Sequence, residues 1–95
     1  MVPIRRLVLD VLKPHEPEMT ELARRTADCD GVEGVNATLV EYDREVENVK
    51  LTLEGDDIDF EAVRTVIDGF GASVHSVDEL ACGDRLIDAG ETPQD

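Results

Sequence analysis

The chain has 95 residues, of which 23 are acidic and 9 basic, and a net charge of −14. That length allows one small domain around a single core, and an apolar content of 41% lies above the level of disordered chains. No apolar run approaches the ~18 residues of a membrane span, and no stretch reads as a signal peptide, so a soluble, cytoplasmic protein without membrane partners is expected.

Acids run along the whole length, and Lys13 and Lys50 are the only lysines. Such a surface suits either an acidic binding face or a cytoplasm of high salt, where screening weakens self-repulsion. Nucleic acid is excluded as a partner, because Arg5-Arg6 and Arg24-Arg25 are too small and too separated to form a phosphate-binding patch. Cys29 and Cys82 form no CxxC and read as free thiols in a reducing compartment.

In chain order, IRRLVLDVL (4–12) alternates as a strand, with Leu7, Leu9 and Val11 on one face and Arg6, Val8, Asp10 and Leu12 on the other. KPHEP follows. Pro17 suits the first position of a helix, which makes Glu16 its expected cap. Met19, Leu22, Ala23, Thr26 and Cys29 form the helix's inner stripe, and Asp30-Gly31 ends it. VNATLVEYD (35–43) and VENVKLTLE (46–54) alternate again as a hairpin. The odd-numbered apolar residues of both strands must oppose each other, which calls for an odd-length loop near Arg44-Glu45. Asp59 caps a second helix, with Ile58 placed to staple onto Val63. Phe60, Val63, Val66, Ile67 and Phe70 make its inner face. ASVHSVDEL (72–80) is a weaker fourth strand of open facing. The domain spans 1–87, and an acidic tail, 88–95, is expected to be disordered.

The order β-α-β-β-α-β, with right-handed crossovers, predicts an α+β fold of the ferredoxin-like kind: a four-stranded antiparallel sheet with two helices on one face. The other face then carries Arg6, Val8, Asp10, Leu12, Asn36, Thr38, Val40, Tyr42, Asn48, Lys50 and Thr52. His75 joins them if Val74 points inward. Apolar residues interleaved with charge resemble a protein–protein contact more than a solvated face. Homo-oligomerisation through this face or the sheet edges is the expected partnership.

Asp10 stands mid-strand among apolar neighbours and needs a partner, for which Arg6, Lys50 and His75 are available. Asp10, Lys50 and His75 together could perform acid–base work on the open face. An ion-pair network that fixes strand register explains the same residues without catalysis. A divalent cation could bind His15 and Glu16, or Asp56 and Asp57. The latter pair lacks calcium-loop spacing, and capping and solvation account for both sets. No cofactor is implied.

The segments IRRLVLDVLKPHEP, GVEGVNATLVEYDREVENVKLTLEG, DIDFEAVRTVIDGFGASVHSVDE and the downstream ACG resemble the archaeal domain-of-unknown-function family 211, over residues 3–87. The resemblance implies a ferredoxin-like, oligomer-forming protein, and the acidic, lysine-poor sequence looks like a haloarchaeal member. KPHEP stands where metal-chaperone domains of this fold carry MxCxxC, which excludes soft-metal transfer. The sequence thus reads as a self-assembling binding or regulatory module without catalysis. An enzyme of the open face and a cation-binding protein are the alternatives.

Overall fold

The computed structural model describes residues 2–89. Six elements follow in order: β1 (Ile4–Pro14), α1 (Met19–Ala27), β2 (Val32–Tyr42), β3 (Val46–Gly55), α2 (Phe60–Gly69) and β4 (Ser73–Cys82). The strands form one sheet in the order β2-β3-β1-β4, with every neighbouring pair antiparallel. This is the expected ferredoxin-like βαββαβ topology, since each helix carries the chain past one strand position before it returns. The extents, 38 × 37 × 16 Å, fit one helix layer on one sheet. No helix among the described residues is long and apolar enough to cross a membrane.

Strand alternation places the core. Leu7, Leu9 and Val11 of β1 pair with Leu53, Leu51 and Val49 of β3, and all six are buried. Leu22 of α1 and Val63 and Ile67 of α2 close over them, with Ile58 and Phe70 at the margins. Val35, Ala37 and Leu39 of β2 face the odd-numbered residues of β3, as the alternation requires.

Asp59 caps α2 through its side chain, which accepts from the Ala62 N–H at 3.1 Å. The first helix departs from expectation. It begins at Met19, with Glu18 at the cap and no side-chain cap bond, so Glu16 does not cap it and Pro17 lies outside it. The reason is tertiary: the Pro17 carbonyl accepts from Lys13 Nζ at 2.6 Å, which keeps residues 14–17 in a turn.

A second difference concerns facing. Between Leu39↔Val49 and Glu41↔Asn48 the register shifts by one, leaving Val40 as an extra residue. Such a bulge exchanges the faces of all that follows. Tyr42 therefore opposes Glu47, itself opposite Lys13, and shares their face instead of the open one. In β4, Val74 pairs with Val11 and packs partly buried against the core, so it points inward. His75 falls in the irregularity between Val74 and Ser76 and is exposed. Of the expected acidic tail, Asp88 meets Arg6 at 2.7 Å, and residues 90–95 lie outside the described residues.

Candidate functional site

Two constellations stand out, one at the KPHEP end of the sheet and one on the open face. The first starts from the alternation of β1. Leu7, Leu9 and Val11 are followed on the same face by Lys13, a side chain that is fully buried. An ammonium there requires partners for all its donors. Lys13 Nζ donates to the Pro14 carbonyl at 2.7 Å and the Pro17 carbonyl at 2.6 Å, and pairs with Glu47 Oε1 at 3.2 Å. The other Glu47 oxygen, Oε2, lies 3.0 Å from His15 Nδ1. His15 Nε2 donates to the Arg44 carbonyl at 3.0 Å, and the imidazole stacks on Tyr42 with centroids 4.5 Å apart.

Both His15 nitrogens thus face acceptors, which requires a proton on each. The Glu47 carboxylate, aided by the Arg44 carbonyl, raises the His15 pKa above its ordinary 6.5. His15, with Lys13 beside it, lowers that of Glu47 below 4.5. The group is a clasp that holds the KPHEP turn against the β2–β3 hairpin.

The signs fix a pH window. The raised His15 pKa contributes stability that is complete below about 6.5 and is lost as pH rises through the folded value. The lowered Glu47 pKa contributes stability that is complete above about 4.5 and is lost as pH falls through its folded value. Replacing His15 with Phe keeps a ring on Tyr42 and removes the charge. The Tm gap between wild type and His15→Phe should be widest between about pH 4.5 and 6.5 and narrow above it. A gap that stays constant from acid to alkaline pH would refute the charged clasp.

On the open face, Arg6 joins three elements. Its guanidinium meets Glu54 at 2.8 Å, Glu79 at 3.0 Å and Asp88 at 2.7 Å. Arg6 is therefore engaged elsewhere and does not pair with Asp10. Asp10 opposes Lys50 across β1 and β3, and both line a cavity of about 380 Å3 with Val8, Val40, Asn48, Asp78 and Glu79. His75 does not line it; it sits in the β4 irregularity beside Ser76, which opposes Asp10. Leu12 is half-buried opposite Asn48; Thr38 opposes Lys50, Thr52 opposes Val8 and Asn36, and Thr38 donates to Asn36 at 2.8 Å.

The metal candidates are spread out. His15 is committed to Glu47, Glu16 is exposed, and Asp56 pairs with Arg5. Among the described residues no group of three or more His, Cys, Asp or Glu side chains is placed to hold a metal ion. Cys29 and Cys82 are free thiols, and burial together with Asp28 raises the Cys29 pKa.

Comparison with known proteins adds a lineage to this geometry. The model of DUF211, described as "Uncharacterized ArCR", matches residues 5–95. The chain belongs to the DUF211 family. Similar to it is the uncharacterized protein MJ0319 of Methanocaldococcus jannaschii, 46% identical over 92 residues, which cover 97% of this chain and 95% of that one. Neither description states an activity, so the function of this DUF211 member rests on its own side chains. Lys13 and Glu47 of the clasp were not singled out by sequence reasoning, although a signal exists. Each is a charged residue on the inward phase of its strand, and the two fall opposite each other once the strands pair.

Proposed function

We propose that this DUF211 chain is a small cytoplasmic module without catalysis, suited to high salt, that assembles with copies of itself. The observation that carries this reading is the apolar character of both sheet edges. Leu39 and Val40 on β2 are 46% and 61% exposed, and Val77 and Leu80 on β4 are 47% and 55% exposed. Val77 and Leu80 oppose Leu9 and Leu7, so they lie on the helix side, where the helices leave the rim bare. Long edge strands with apolar side chains are templates for pairing unless something covers them.

Strand direction favours the same outcome. β2 runs antiparallel to β3, and β3 and β4 both run antiparallel to β1. The two edges therefore point in opposite directions, and β4 of one copy set against β2 of the next continues an antiparallel sheet. With a net charge of −14 on each copy, salt should strengthen the association by screening. Light scattering after size exclusion in molar KCl is expected to give a dimer or larger species. Val77→Glu with Leu80→Glu should yield a monomer with unchanged circular dichroism. A wild-type monomer under those conditions would sink the proposal.

A further inference from the structure

The cavity on the open face holds polar groups that the fold does not use. Asp10 and Lys50 are directly opposed residues of opposite charge. Among the described residues, however, no ion pair or hydrogen bond forms to either side chain. Asn48 Oδ1 is buried and accepts no hydrogen bond among the described residues. A buried acceptor left open calls for a specific explanation. Its neighbours Glu79 and Asp78 are partly occupied: Glu79 faces Arg6, and Asp78 accepts from Ser76 at 2.7 Å.

The backbone is shaped toward the same place. The shift in β2 leaves Val40 as an extra residue, and a shift in β4 between Val77 and Glu79 does the same for Asp78. Both extra residues line this one cavity. Bulges re-aim side chains, and they recur beside binding sites. The volume, about 380 Å3, admits a small molecule in a depression that stays open to solvent on one side.

The charges select the ligand. Lys50 disfavours a bare metal cation, and Asp10 with Asp78 disfavours a simple anion. A molecule bearing both signs answers Asp10 and Lys50 at once. We propose that the cavity binds a small zwitterion of the free α-amino acid class. Its ammonium donates to Asp10 and Asp78, and its carboxylate accepts from Lys50. A short aliphatic side chain rests on Val8 and Val40. The proposal does not require edge-to-edge assembly, although Val40 both lines the cavity and belongs to the β2 edge.

Titration calorimetry of the full chain in molar KCl tests it, with L-alanine and L-valine as probes and butylamine and butyrate as single-charge controls. Saturable heat is expected with the amino acids, and binding about tenfold weaker or worse with either control. Asp10→Asn and Lys50→Gln should each weaken L-valine binding by at least about tenfold while leaving the thermal transition in place. Amide shifts in the wild-type chain give a second reading that needs no variant: L-valine should move the Val8, Asn48 and Asp78 signals. No saturable heat with either amino acid, equal binding of butylamine, or shifts confined to other residues would overturn the assignment.

Discussion

Lys13→Met is expected to lower the unfolding free energy by about 3–5 kcal/mol, the usual loss when one partner of a buried ion pair is removed. Methionine keeps the bulk of the stem, so a cavity contributes little. The loss comes from electrostatics and unmet acceptors. Glu47, whose side chain is 13% exposed, keeps a charge with one partner fewer, and the carbonyls of Pro14 and Pro17 lose their donor. Urea denaturation in molar KCl should show the midpoint falling with an unchanged slope, since the same surface is exposed on unfolding. A loss below about 1 kcal/mol, the range of exposed pairs, would show that the clasp is not buried in solution.

A double variant separates charge from packing. Lys13→Met with Glu47→Met removes both charges and should recover part of the loss, because apolar residues can replace a buried pair at little cost. The recovery should remain incomplete. The turn carbonyls stay without Lys13, and His15 loses its carboxylate. A double variant no more stable than Lys13→Met alone would place the whole effect on the turn carbonyls.

The clasp also shows how far the sequence could be read. The fold was legible because each element carries its own period and its own boundary. Leu7, Leu9 and Val11 alternate, Val63 and Ile67 recur at helical spacing, and Asp59 caps where an Asp should. The same alternation, carried one step beyond Val11, puts Lys13 inside. The turn prolines hide this, because they suggest that the strand has already ended. The start of α1 was misplaced for the same reason: Pro17 fits a helix locally, but its carbonyl is taken by a lysine from the preceding strand.

The candidate cavity was half legible. Asp10 and Lys50 follow from strand pairing alone, since each stands out as a charge on a mixed face. The bulges left only a faint trace. In VNATLVEYD no Gly or Pro marks an extra residue, but the apolar positions 35, 37 and 39 give way to 40 and 42, a change of phase at Leu39-Val40 where Val40 is the extra residue. In β4 the extra residue Asp78 lies within ASVHSVDEL, where polar residues fall on both phases and fix no register. Both bulges lie on edge strands. There one side of the ladder is unpaired, so an extra residue disrupts fewer bonds than in β1 or β3.

Gly55→Ala and Gly31→Ala should be the most damaging single-methyl additions among the described glycines. A Cβ at Gly55 would overlap the Gly31 carbonyl, and one at Gly31 would overlap the Asp57 carbonyl. The obstacles are backbone atoms, which cannot turn aside as a side-chain tip can. They belong to the junction where the chain leaving α1 meets the end of β3. There Val32 pairs with Gly55, and the Asp56 N–H donates to the Gly31 carbonyl at 3.0 Å. Overpacking costs about 1–3 kcal/mol even where side chains can shift, so about 3 kcal/mol or more is expected for Gly55→Ala. Gly31→Ala should cost at least as much, because to a like overlap its φ of +83° adds about 1–2 kcal/mol of strain for a residue with a Cβ. Gly69 supplies the contrast. It ends α2 and is exposed, and a methyl group added there would meet open space. Gly69→Ala should therefore gain up to about 1 kcal/mol from helix propensity. Urea midpoints for the three variants test the set, and a Gly55→Ala midpoint equal to that of Gly69→Ala would show that the junction is looser than the structure describes.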